Sequence, residues 1–117
     1  MEKNKIISDE AERKIRLMRL GNKKAILWGL KCRGLHFRTN AIICAVMYQI
    51  KDDEIIEAIK SLKSEDYISL GTSASGCACA ALEILGVEKY RGDSREVKNY
   101  LENKFDFYKS FITRAQA

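Results

Sequence analysis

Hydrophobic positions are densest between Arg38 and Asp66, and they change rhythm halfway. The run Ala41-Ile42-Ile43-Cys44-Ala45-Val46-Met47 is almost unbroken, too short to cross a membrane and apolar enough for a buried helix. After Lys51-Asp52, apolar residues recur at Ile55, Ile56, Ile59 and Leu62, the one-sided stripe of an amphipathic helix. A buried helix followed at once by an amphipathic one predicts a helical hairpin that stacks between neighbours.

The same reading extends along the chain. Ser8 or Asp9 caps a first helix over about 9–20, with Ala11, Ile15 and Met18 on one face, widened by Leu17 and Leu20. Gly21-Asn22 ends it. A second helix over about 23–33 turns Ile26, Leu27 and Leu30 inward and stops at Gly34, and Leu35-His36-Phe37 reads as a connector. Helix three follows over 38–50 and helix four from 53. Residues 64–76 form the longest break, and Cys77 to Leu85 makes a fifth helix closed by Gly86. Asp93-Ser94-Arg95-Glu96 has the form of a capping box with Asp93 as cap. Val97, Tyr100, Leu101, Phe105, Tyr108 and Ile112 carry the sixth helix to about Arg114. The expected fold is therefore all-α, about six helices in one domain. It has basic N-terminal helices over 1–37 and repeat-like pairs over 38–66 and 73–114. The two apolar helices begin 37 residues apart, at Ala41 and Ala78, a period of the kind found in helical solenoids.

Charge changes the picture at one end. Residues 1–38 hold eleven Lys and Arg against four Asp and Glu, a net of +7; the remainder holds ten against twelve, a net of −2. A basic end fits nucleic acid, an acidic protein surface, or simply a solvated helix face. No aromatic residues interleave with these charges as in a stacking platform for bases, and that favours the last reading. The absence of proline lets helices run without internal breaks. The first ten residues lack the apolar core of a signal peptide, so the four cysteines are expected as reduced thiols in the cytoplasm.

Ala45 to Asp66 resembles a HEAT or HEAT-like repeat: an apolar first helix, an acidic turn, the I-x-x-A-I-x-x-L second helix and a closing acidic pair. Ala80-Ala81-Leu82-Glu83-Ile84-Leu85-Gly86 resembles the first helix of the next repeat, with Lys89 to Asp93 inserted where a short turn is usual. The likeness covers about half the chain. It implies a short α-solenoid scaffold that binds proteins or nucleic acids along the face lined by the second helices.

Candidate chemistry is sparse. Cys77 and Cys79 lie two apart, so a helix points them away from each other, and they read as small core residues. Gly71 to Gly76 has the spacing of a phosphate loop without its lysine, and reads as a linker ending in a serine cap. His36 lies between Arg33 and Arg38 with no nucleophile nearby. Arg91-Gly92-Asp93 reads as a turn, and Trp28 as a core residue before an aromatic anchor. No cofactor or metal is expected.

Two surface stripes remain. Asp53, Glu54, Glu57 and Lys60 on helix four, with Glu96, Asn99 and Glu102 on helix six, form the leading partner surface. Lys23, Lys24, Lys31, Arg33 and Arg38 form an alternative basic one. The expected function is a non-enzymatic protein-binding domain, in particular the immunity protein that inhibits a cognate bacterial toxin with a basic active site. That expectation rests on analogy. The alternative is a nucleic-acid-binding module using the basic N-terminal helices.

Overall fold

A computed structural model describes the backbone of residues 2–33, 35–64, 68–69 and 72–106, with side chains over 9–33, 37–64 and 73–106. The fold is all-α, with six helices among the described residues: α1 (Glu2–Arg19), α2 (Lys23–Lys31), α3 (Leu35–Met47), α4 (Asp53–Ser61), α5 (Ala74–Ile84) and α6 (Arg95–Asn103). A single 3-10 turn, Leu62–Ser64, extends α4. Two-residue strands β1 (Ile68–Ser69) and β2 (Thr72–Ser73) pair antiparallel just before α5, Ile68 opposite Ser73.

Three of the helices close in the same manner. At the end of α1, Gly21 (φ 86°) donates to the Met18 carbonyl at 2.9 Å and Asn22 to Leu17 at 3.0 Å. At α3, Gln49 (φ 51°) donates to Val46 at 3.1 Å and Ile50 to Ala45 at 2.9 Å. At α5, Gly86 (φ 76°) donates to Glu83 and Val87 to Leu82, both at 2.9 Å. Each is a left-handed residue followed by a six-to-one bond, which satisfies carbonyls the helix end leaves open. Such a cap turns the chain sharply: α1 then packs on α2 and α5 on α6, whereas the main packing of α4 is against α2 and α5 and not against α3.

The core is one continuous cluster. Met18 comes from α1, Ile26 and Leu30 from α2, Ile42 and Ala45 from α3, and Ile55 and Ile59 from α4. Cys77, Ala81 and Leu82 come from α5, and Val97 and Phe105 from the C-terminal hairpin. Helix α5 is the hub and packs against α3, α4 and α6. Its Ala74, Gly76, Cys77, Ala78, Ala80 and Ala81 are all buried, and side chains this small let three helices approach one axis. Helix α3 lies against α2 and α5, and α2 against α4.

Several boundaries differ from expectation. Helix α1 begins at Glu2, not near residue 9, and Leu17 and Leu20 are 38% and 45% exposed instead of widening the buried face. Residues 35–37 belong to α3, because α2 closes at Cys32 and needs no longer connector. Helix α3 stops at Met47 because Gln49 turns left-handed. Helix α5 starts at Ala74, three residues early, capped by Ser73. The α6 cap is Ser94, whose hydroxyl accepts the Val97 N–H at 3.4 Å, not Asp93. Finally, α6 ends at Asn103. Lys104 and Phe105 both have positive φ, and Phe105 is fully buried and stacks on Tyr100 at 4.8 Å. Phe105 thus enters the core through a turn, although its spacing matches a helix. The expected continuation through Tyr108 and Ile112 lies outside the described residues, as do Glu65 and Asp66 and the side chain of His36.

Candidate partner-binding site

Helix α4 forms where four isoleucine and leucine positions need burial, and its other side is left to water. Ile55, Ile56 and Ile59 are buried, while Asp53, Glu54 and Glu57 are exposed. Asp53 and Glu54 occupy the first turn, where the positive end of the helix dipole favours them. The Glu57 side chain is 72% exposed, and its carboxylate pairs with Lys60 one turn on at 3.7 Å. An exposed pair of this kind contributes at most about 1 kcal/mol and leaves Glu57 open to a competing cation.

The structure places the α4 part of the acidic stripe beside the α2 lysines of the basic one. Packing of α2 on α4 brings Lys23, Lys24 and Lys31 to the same grooves as the α4 carboxylates. A cleft of about 270 Å³ is lined by Lys23, Lys24, Leu27, Asp52, Asp53, Glu54 and Ile55. An adjoining cleft of about 460 Å³ is lined by Lys31, Asp53, Glu54, Glu57 and Ala58. Lys23 pairs with Asp52 across the first at 3.2 Å. Asp53, Glu54 and Glu57 of the acidic stripe and Lys23, Lys24 and Lys31 of the basic one thus line the same α2–α4 groove, together with Leu27, Ile55 and Ala58. The spacing pattern could not show this, because it depends on α2 and α4 being neighbours in space. The place of Leu27, Ile55 and Ala58 in the groove went unnoticed for the same reason.

Other predicted site residues divide. Asn99 and Glu102 are exposed on α6, which packs on α5. Glu96 does not face solvent with them. Its carboxylate accepts the Ser73 backbone N–H at 2.9 Å and the Ser73 hydroxyl at 2.7 Å, fastening α6 to the start of α5. Arg33 is exposed, and its carbonyl accepts the half-buried Arg38 guanidinium at 2.7 Å, so Arg38 serves to close the α2–α3 link. Trp28 is partly buried edge-on to Phe37 at 5.4 Å, with the Lys14 ammonium 4.9 Å above its ring. It is a packing residue covered by a cation, not an open anchor.

The serine cap expected from residues 71–76 is supplied by Ser73, which accepts the Gly76 N–H at 2.9 Å while the Glu96 carboxylate accepts the Ser73 N–H; Gly71 lies outside the described residues. Burial pushes the thiols of Cys44 and Cys77 up to about 12, and raises those of Cys32 and Cys79. Thiols so held are poor nucleophiles near neutrality. Cys77 is fully buried and Cys79 half-buried, the opposed directions a two-residue spacing gives on a helix. Among the described residues no group of three or more His, Cys, Asp or Glu is placed to hold a metal ion. No helix among them is long and apolar enough to cross a membrane.

Compared with known proteins, the chain matches no family model, no curated protein and no solved structure.

Proposed function

We propose that this chain is a non-enzymatic protein-binding domain of stacked HEAT-like hairpins, whose α2–α4 groove receives a basic segment of a partner protein. The observation that carries the reading is the exposed edge of α4, where Asp53, Glu54 and Glu57 line clefts shared with Leu27, Ile55 and Ala58. A lysine or arginine can lay its aliphatic stem on Leu27, Ile55 and Ala58 and reach the carboxylates with its charged head. The repeat reading rests on the likeness of α3 with α4 to α5 with α6, an apolar helix followed by an amphipathic one. Inhibition of a basic toxin domain in a bacterial cytoplasm remains the specific form of the proposal, because an acidic rim steers toward sites that handle nucleic acid. The lysines of α2 share their groove with carboxylates, and Lys23 is paired. This disfavours the alternative in which α2 lies on a phosphate backbone.

The test is affinity capture of partners with the tagged chain under native conditions, using wild type and Glu54→Lys plus Glu57→Lys. A protein retained by the first and lost from the second supports the reading. Recovery of nucleic acid that dissociates steeply with salt supports the alternative.

A further inference from the structure

The links that follow these three caps differ in length. Helix α1 is joined to α2 by residues 20–22 and α3 to α4 by 48–52, but α5 reaches α6 only through 85–94. The added segment is fixed in place. The Tyr90 N–H donates to Glu83 Oε1 at 2.8 Å, the Tyr90 hydroxyl accepts the Ser94 N–H at 3.0 Å, and Lys63, just beyond α4, bonds the Glu88 carboxylate. Beneath it lies a cleft of about 350 Å³ lined by Lys63, Cys79, Glu88, Lys89, Tyr90 and Arg91.

The segment held in this way carries charge at its surface. Lys63 and Glu88 neutralise each other. Lys89 and Arg91 are exposed and have no hydrogen-bond or ion-pair partner among the described residues. They flank Tyr90, whose hydroxyl uses its oxygen toward Ser94 and keeps its own proton to donate. The cleft therefore holds two uncompensated cations and a neutral donor, in the part of the chain that is otherwise net negative.

We infer that this cleft binds a phosphate-type dianion. Its two free charges match the near −2 charge of a phosphate monoester, and the Arg91 guanidinium can take two of its oxygens at once while Lys89 adds a point charge. The cleft shares no lining residue with the α2–α4 groove, so the inference is independent of the partner reading.

The experiment is a titration of the full chain with inorganic phosphate, then pyrophosphate, at constant ionic strength. It is followed by backbone amide shifts and compared with a chloride control. Saturable shifts confined to residues 88–92 and Lys63 are expected. In Lys89→Gln plus Arg91→Gln, binding weakens by about tenfold or more, as loss of charge-assisted hydrogen bonds implies. Lys24→Gln leaves it unchanged. Shifts that do not saturate, that spread over the basic α1–α2 surface, or that persist equally in the double variant overturn the inference. Both substituted residues are exposed, so the double variant keeps its fold; matching circular dichroism verifies that.

Discussion

The Glu96 carboxylate completes the N-terminal cap of a helix to which it does not belong. Ser73 caps α5 by accepting the Gly76 N–H at 2.9 Å, and Glu96 of α6 accepts the Ser73 N–H at 2.9 Å. In a local capping box the residue three beyond the cap supplies that carboxylate. Here that position is Gly76, and a Cβ on it would collide with Glu96 Oε1. The two halves of the box have been divided between helices, so α5 is capped only when α6 is docked. Glu96→Ala is expected to cost about 1–3 kcal/mol of stability, the loss of charge-assisted bonds to a half-buried cap. Gly76→Ala is expected to cost a similar amount by displacing the carboxylate. In the Glu96→Ala background, Gly76→Ala should become neutral or favourable, since the space is vacated and alanine is the better helix former by about 1 kcal/mol. Urea denaturation of the four proteins checks this. Additive single effects would contradict it.

The ends of α3 and α5 offer a paired prediction. Gln49 and Gly86 hold the same left-handed position in equivalent caps, but only Gly86 lacks a Cβ to strain. Gln49→Gly should stabilise by about 0.5–1 kcal/mol, and Gly86→Ala should destabilise by about 1 kcal/mol. Nothing lies within 4 Å of a Cβ at Gly86, so that cost is conformational and not steric. Equal and opposite shifts in urea midpoint are the expected result; a destabilising Gln49→Gly would show that the turn is held by the glutamine side chain.

Thiol titration separates the four cysteines. Cys44 and Cys77 are buried and neutral, with pKa values raised from 9.0 to about 12. A raised folded-state pKa means that the unfolded chain releases its protons first as pH climbs. The contribution of these thiols to stability is therefore complete below about pH 9 and lost progressively toward pH 12. Denaturant midpoints should fall across that window, less steeply in Cys77→Ala. At pH 8 a thiol reagent should modify Cys32 and Cys79 well before Cys44 and Cys77, which react only on opening. Simultaneous reaction of all four would contradict the packing of α3 and α5.

The helices themselves were largely legible in the sequence, because each follows an apolar stripe: Ile55, Ile56 and Ile59 are buried as their spacing predicts. What the pattern missed lies where the backbone reverses. Phe105 keeps helical spacing with Tyr100 and Leu101 yet sits beyond a left-handed Lys104, and no periodicity distinguishes those cases. The site was legible residue by residue but not as a shape. Asp53, Glu54 and Glu57 are exposed as expected, whereas their facing of Lys23, Lys24 and Lys31 depends on α2 packing against α4. Glu96 looked like one more exposed acid on α6, since nothing local signals a carboxylate used by a helix cap 23 residues earlier in the chain.

We propose that a protein partner is held through the acidic residues of the α2–α4 groove. The most direct measurement of this is the equilibrium affinity of the captured partner for wild type, for Glu54→Lys plus Glu57→Lys, and for Glu102→Lys on α6, all three shown equally stable. Affinity lowered by about tenfold or more in the first variant and little changed in the second is the predicted result. Undiminished affinity after reversal of both α4 charges would contradict it.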